Sequence, residues 1–307
     1  MRIEKLRARK EWLAIVGLVL VTAGIWCGVL RNEGKTFRAV FLDVGQGDCV
    51  FVRTPGGRTV LVDGGGRKSE QSDGDAIGLR VVEPFLRREG VNRIDVLVLT
   101  HPHDDHVRGL IPVVRDFRVG MVLDSASPHG SESYRRFLSL VEARRISYRR
   151  AVRGQVIDFG DGVRAEVLNP AARSADRTDD LNENSVVLRF TYGESSMLLT
   201  GDAGKDAERD ILASGANVRS DLLKIGHHGS DSGTSDDWLE AVRPKFAVIS
   251  VGKNNPFGHP SRDVLDRLSA RGGEVYRTDR DGAVVFEMAA RRSTVYSQLA
   301  RPVPGHQ

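Results

Sequence analysis

The sequence predicts an α/β fold in which two sheets carry helices on their outer faces. Three observations predict it. Strand-like runs come first, helices then interleave with strands, and no internal repeat breaks the pattern. With 307 residues, 40% hydrophobic and 28% charged, the chain has the composition of one large globular domain or two small ones, not of a disordered chain.

The elements follow in order. FRAVFLDVG and DCVFVRT read as strands, TPGGR as a hairpin turn and TVLVDGGG as a third strand ending in glycines. DAIGLRVVEPFLRREG reads as a helix closing at Gly90, and IDVLVLT as a short buried strand that runs straight into HPHDDH. Then come a strand (VGMVLDS), a helix (SESYRRFLSLVEARR) and two strand pairs, one around DG in VIDFGDGVRAEVLNP and one around YGES in SVVLRFTYGESSMLLTGD. KDAERDILASG is a helix, DLLKIGHHGS a strand entering histidines, and DDWLEAV a short helix. KFAVISVG is a strand, SRDVLDRLSARGG a helix, and EVYRTDRDGAVVFEM a last strand pair. One domain is expected over 37–290, with a polar, proline-containing flexible tail over 291–307.

The formal net charge is +4, but the first thirty residues carry five basic and two acidic side chains, so the remainder is nearly neutral. Net charge therefore advertises no broad nucleic-acid surface. Cys27 and Cys49 lie in unrelated patterns and form no disulfide framework. Residues 12–30, WLAIVGLVLVTAGIWCGVL, hold no charge and follow the basic stretch 1–11. As a helix they would be roughly 28 Å long, against a hydrocarbon core of ~30 Å. Positive-inside bias then puts the N-terminus in the cytoplasm and the domain outside, as a single-pass membrane protein. The rival is a signal peptide and a secreted product, but no good A-x-A site is present and Trp26 spoils GIWC as a lipoprotein box.

HPHDDH places His101, His103, Asp105 and His106 in one tight loop and the first turn of a helix. Imidazole nitrogens and carboxylate oxygens are the usual ligands of zinc and related divalent ions. One loop cannot complete a site, so further ligands are sought just after other apolar runs. Asp43, Asp48, Asp63, Asp202, His227, His228 and His259 all stand there. Singly, each is better read as a turn former or cap. Together with HPHDDH they describe a metal site assembled from several strand ends.

THPHDDH matches the HxHxDH signature of the metallo-β-lactamase superfamily, which the chain resembles from about Phe37 to Met288. The strings FLDVGQGDC, LVDGGG, LNENSVVLRF, LLTGD, LLKIGHHGS and SVGKNNPFGHPS look like the branch containing the extracellular hydrolase domain of the DNA-uptake competence protein ComEC. The resemblance implies a four-layer αββα sandwich holding one or two divalent ions, zinc or manganese. It implies that His101 and His103 hold the first metal, Asp105 and His106 the second, and that Asp202 bridges them. His228, with His227 as the alternative, would complete the second site, and Asp63 would brace the loop. Where many members supply a third histidine to the first metal, this chain reads LNENS, with Asn182 and Asn184. That departure would leave the first site weak, water-filled or empty, and leaves the number and identity of the metals open. His129, the one histidine between His106 and Asp202, reads as a surface residue.

The function expected is that of a membrane-anchored, extracytoplasmic phosphodiesterase or nuclease related to DNA uptake. Asp105 and Asp202 would position a metal-activated hydroxide, and His259 would contact phosphate or protonate the leaving oxygen. Lys224 would neutralise a phosphate or else be a surface-facing strand lysine. Ser230 joins Asn184 as a supporting or substrate-facing residue. The same ligands would serve acyl hydrolysis of a lactam, lactone or thioester, and a weakened first site would suit a non-catalytic DNA- or cell-wall-binding module. ComEC has a multi-pass channel region, so a part in uptake would require a separate channel protein as partner. An arginine cluster (Arg135, Arg136, Arg144, Arg145, Arg149, Arg150, Arg153) reads as a solvated face or as a phosphate track. With aromatic residues at 6%, no stacking platform is evident.

Overall fold

The computed structural model describes residues 12, 15–22, 24, 36–66, 76–172, 180–289 and 292–299. It divides into two units, Met1–Thr36 and Phe37–Gln307. In the first, residues 15–22 are helical, and the rest of the expected anchor lies largely outside the described residues. Among the described residues, no helix is long and apolar enough to cross a membrane.

The second unit holds two sheets. The first contains β1 (Phe37–Phe41), β2 (Val50–Arg53), β3 (Thr59–Val62), β4 (Arg93–Leu99), β5 (Arg118–Asp124), β6 (Ser147–Arg150), β14 (Val284–Ala289) and β15 (Arg292–Ser297), in the order β15-β14-β1-β2-β3-β4-β5-β6. The second contains β7 (Val156–Asp158), β8 (Val163–Asn169), β9 (Val187–Tyr192), β10 (Ser195–Leu199), β11 (Leu222–Lys224), β12 (Phe246–Ile249) and β13 (Glu274–Arg277), in the order β13-β12-β11-β10-β9-β8-β7.

Period-two patterning makes four layers of this. In β1, Phe37, Ala39 and Phe41 join Phe190 and Met197 of the second sheet in the central core, while Val40 belongs to the cluster under the outer helices. Ala165 and Val167 of β8 belong to the same central cluster. Helices α1 (Glu83–Arg88), α2 (Asp104–Val107), α3 (Leu110–Asp116) and α4 (Glu132–Ala143) cover the first sheet through Leu86, Val107, Val113 and Phe137. Helices α5 (Lys205–Ala213), α6 (Asp236–Val242) and α7 (Arg262–Ala270) cover the second through Ile211, Trp238 and Val264. A last short helix, α8 (Thr278–Asp281), follows β13.

Each sheet has a parallel block, β3 to β6 in one and β10 to β13 in the other. Parallel neighbours need crossovers, which the helices supply. The C-terminal ends of parallel strands then share one rim, where open α/β sheets collect their functional loops. Three elements differ from the sequence reading. EVYRTDRDGAVVFEM, expected as a strand pair, gives β13 and β14, which lie in different sheets and are joined through α8. Residues 292–297, expected in the tail, pair with β14, because Thr294, Val295 and Tyr296 favour an extended edge strand. Residues 147–150, given no element by the sequence and read only through Arg149 and Arg150 of the arginine cluster, form the edge strand β6.

Candidate metal centre

Asp63 follows β3, HPHDDH follows β4, Asp202 follows β10 and HHGS follows β11, so the four segments meet on the shared rim. The glycines after Asp63 make the approach possible: Gly109 N–H donates to Gly65 O at 2.9 Å, and a Cβ on Gly109 would collide with the Gly64 carbonyl. His227 and His228 occupy left-handed backbone, with φ of 47° and 54°. Such geometry is costly for side-chain-bearing residues and persists where the surroundings enforce it.

Asp202 Oδ2 is the centre of the arrangement. His106 Nε2 lies 3.3 Å from it, His228 Nε2 3.4 Å, His101 Nε2 3.8 Å and His227 Nε2 3.9 Å. Asp105 Oδ2 adds a second carboxylate 3.4 Å from His228 Nε2. Two groupings of ligand atoms result: His101 with His106 and Asp202, and Asp105 with His106 and His228. A third joins Asp48 with Asp202 and His228, and a fourth Asp48 with Asp63 and His106. His103 is in none of them, although its Nδ1 lies 3.0 Å from His101 Nε2.

The rings are oriented from behind. His106 Nδ1 sits 2.8 Å from Asp63 Oδ2, and Asp63 also accepts the Thr100 N–H at 2.8 Å and the Thr100 hydroxyl at 2.7 Å. His228 Nδ1 donates to the Ser250 carbonyl at 2.9 Å, which leaves Nε2 facing Asp202. The backbone N–H of Asp202 donates to Ser185 Oγ at 3.1 Å. This is the carboxylate– or carbonyl–histidine pattern that fixes metal-binding imidazoles.

Charge in the cluster is strongly coupled. Burial drives His106 and His228 down, but Asp202 and the other carboxylates outweigh it and raise both well above the ordinary imidazole value. Burial pushes Asp202 up, but His228 and His106 reverse that and hold it well below the carboxylate range. Asp105 is lowered in the same way, against burial, by His106 and His228. His101 goes the other way, lowered first by burial and then by His106.

The residues fit a divalent ion. Asp202 Oδ1, Asp48 Oδ1 and His228 Nε2 are buried without a hydrogen-bond partner, as are both amide atoms of Asn184. Buried polar atoms are ordinarily paired. Convergent imidazole and carboxylate atoms left unpaired are what a cation would satisfy.

Other expected residues fall differently. Lys224 is neither a surface lysine nor within reach of substrate. It is 1% exposed, paired with Asp48, 2.9 Å from the Gly201 carbonyl it donates to, and 3.8 Å from Asp202 Oδ1. A lysine at the C-terminal end of a short strand gave no sequence sign of burial, and its pairing with Asp48 joins the two sheets' loops. His129 is not an ordinary surface residue: its ring centroid lies 5.9 Å from that of His103. The loop after β5 lies beside HPHDDH because β5 pairs with β4, a neighbour relation invisible in the local pattern. Ser230 Oγ accepts from the Ser232 N–H at 3.3 Å and meets its hydroxyl at 3.0 Å, holding the turn after HHGS. The His259 ring is 5.7 Å from that of His227. Of the arginine cluster, Arg144 donates to the Arg115 and Phe117 carbonyls at 2.6 and 2.9 Å, and Arg153 pairs with Asp210 at 2.5 Å. Those two serve the fold.

A cleft of about 860 Å³ opens over the cluster, lined by His103, Asp105 and His129 on one side and Lys253, Asn255 and Phe257 on the other.

Residues 42–253 match the model of the metallo-beta-lactamase superfamily. The chain belongs to that superfamily. Superfamily membership together with the His/Asp groupings implies a divalent metal. Among relatives of this chain, ComE operon protein 3 of Bacillus subtilis is 32% identical over 296 residues, covering 90% of this chain and 37% of that protein. Competence protein ComA of Neisseria gonorrhoeae is 32% identical over 260 residues, covering 83% of this chain and 33% of that protein. The chain thus spans about a third of the length of these relatives. A solved metallo hydrolase of Ignicoccus hospitalis shares the fold, with a TM-score of 0.51 at 13% identity over 85% of this chain and 99% of that one.

Proposed function

We propose that the chain is a metal-dependent phosphodiesterase, a nuclease related to DNA uptake, held at the membrane by residues 12–30 with its hydrolase domain outside the cytoplasm. The observation that carries the hydrolytic reading is Asp202 Oδ2, one carboxylate oxygen facing four imidazoles. The competence proteins among the relatives support DNA as the substrate, since they match over most of this chain.

His101 and its neighbour His103, with Asp202, would hold one ion, and Asp105, His106 and His228 would hold another, since His106 has only Nε2 free to give. When bound, a divalent ion, zinc or manganese, supplies Lewis acidity and a nucleophilic water at neutral pH. The chain's own residues do the rest. Asp105, whose side chain is 30% exposed, is the carboxylate of these groupings that reaches the cleft, where it would orient the attacking water. Asp202, buried, keeps the groupings in register. Lys224 holds Asp48 and offsets the negative charge behind Asp202. His259, whose ring lies 5.7 Å from that of His227, would donate the proton to the leaving oxygen. A channel protein is the partner proposed for uptake.

The test is metal content by elemental analysis, followed by hydrolysis of a phosphodiester chromogen and of DNA with zinc or manganese. Asp202→Ala should bring turnover to background with the circular dichroism spectrum unchanged. Turnover that survives this substitution would exclude the mechanism. Bound metal with no cleavage of any phosphate ester would exclude the substrate class.

A further inference from the structure

The cleft has one wall whose chemistry the hydrolytic mechanism does not use. Phe257 is 63% exposed, more than any other large apolar side chain described from Phe37 onward. A single exposed apolar residue is unremarkable on a convex surface. Phe257 instead lines the cleft that also contains His103, Asp105 and His129.

The loop that carries it is tightly built. Asn255 is its hub: Nδ2 donates to the Gly252 carbonyl at 3.1 Å and to the His259 carbonyl at 2.6 Å. Its Oδ1 accepts the N–H of Phe257 at 3.2 Å and of His259 at 3.0 Å. Asn254 and Gly258 take left-handed φ values of 55° and 72° to close the turn. The loop is also fixed to the first sheet's β1–β2 connection. Gly252 N–H donates to Gln46 Oε1 at 3.1 Å, and a Cβ on Gly252 would come within 2.6 Å of the Gln46 backbone nitrogen. The Phe257 ring lies nearly parallel to that of His259, at 20° and a centroid separation of 5.7 Å. A planar apolar face is thus held toward the cleft with little freedom to lose on binding.

The charges around it select the ligand. Lys253 is exposed and lines the same wall. Of the acidic side chains in the cleft, Asp104 is paired with Arg108 at 3.2 Å, and Asp43 accepts the Gly45 N–H at 3.1 Å. A planar ring beside a cation, at the edge of a phosphate-ester site, matches a nucleobase and its phosphate. Bases inside a duplex have no free face, so the strand must be unpaired there.

We infer that the Gly252–His259 loop is a nucleobase-stacking subsite, in which Phe257 takes the face of an unpaired base next to the scissile phosphate and Lys253 takes a neighbouring phosphate. The inference rests on the phosphodiesterase reading and narrows it to single-stranded DNA.

The experiment measures anisotropy of a labelled single-stranded oligonucleotide and of an equally long base-free deoxyribose-phosphate strand, bound by the full chain in EDTA. Cleavage of the same strands with zinc or manganese is read in parallel. Phe257→Ala should weaken binding of the base-bearing strand about tenfold or more, the usual loss for one base stack. It should leave binding of the base-free strand unchanged, and Phe257→Trp should retain wild-type affinity. Equal affinity of wild type and Phe257→Ala for the base-bearing strand would overturn the subsite. So would an equal loss on both strands, or a wild-type chain that binds neither. Base-dependent binding without any cleavage would overturn the phosphodiesterase reading and leave the subsite standing. Cleavage indifferent to bases would do the reverse.

Discussion

His106 and His228 have their Nδ1 atoms fixed by oxygen acceptors, Asp63 Oδ2 at 2.8 Å and the Ser250 carbonyl at 2.9 Å. His103 has no such support among its hydrogen bonds to described residues. Its Nδ1 meets another imidazole, His101 Nε2, at 3.0 Å, and its ring faces His129. The contrast extends outward. Behind His228, the buried Asp48 is paired with Lys224. At the end of β5, just before the loop that carries His129, the buried Asp124 accepts from neutral groups, the Tyr134 and Tyr148 hydroxyls at 2.7 and 2.8 Å. Near the LNENS turn, Asn184 leaves both amide atoms unpaired. The side of His106 and His228 is oriented by a carboxylate and a carbonyl and is charge-balanced, whereas on the other His101 Nδ1 meets only hydroxyls, Thr100 Oγ1 at 3.1 Å and Ser185 Oγ at 3.4 Å, and His103 is held less. Pre-oriented ligands lose less freedom on binding, so the two sides should differ in metal affinity.

The largest effect should come from removing a ligand on each side. His228→Ala should release the tightly held ion, weakening metal binding by more than about 100-fold, the upper end for loss of a supporting partner alone. His103→Ala should spare that ion and remove only the loosely held one. A chelator titration followed by elemental analysis separates the two. If His103→Ala strips metal as completely as His228→Ala, the sides are equivalent and the comparison fails.

The buried ion pair should give the next largest effect, on stability. Lys224→Met leaves Asp48 buried without its cation, and breaking such a pair costs about 3–5 kcal/mol. Lys224→Met combined with Asp48→Asn should recover much of the loss, because no uncompensated charge remains. Denaturant unfolding measures both variants. A single variant as stable as wild type would mean that the pair does not hold this side of the floor.

How much of this was legible in the sequence follows from the range of the interactions. The period-two runs of β1 and β10 and the strand-to-histidine junctions at 99–101 and 224–227 are local, and they set out both sheets and most of the ligand atoms. What was missed depends on neighbours distant in sequence. Lys224 meets Asp48 across the sandwich, and His129 meets His103 because β5 lies beside β4. Phe257 was hidden by composition, since a low aromatic fraction says nothing about where one ring stands. The tail misled because a polar run with alternating Thr, Val and Tyr serves as well for an edge strand as for a loose end.

The smallest effect is also the one that distinguishes the two sides by sign. Burial raises Asp124, and its hydrogen bonds from Tyr134 and Tyr148 only partly offset this, so its folded pKa lies above the ordinary value of 3.8. Its contribution to stability is therefore present below that value and lost as pH rises through the folded pKa. Burial also acts to raise Asp48, but Lys224 and then His228 overturn it, so the folded pKa lies below 3.8. That contribution is present above 3.8 and lost as pH falls through the folded pKa. Asp124→Asn should accordingly gain on wild type as pH rises from about 4 toward neutrality. Asp48→Asn should lose ground as pH rises from below 3.8 into the same interval. Melting temperatures across that range, taken on all three proteins, check both slopes. Parallel slopes would mean that the two aspartates sit in electrostatically similar surroundings, and the contrast between the two sides would rest on the imidazoles alone.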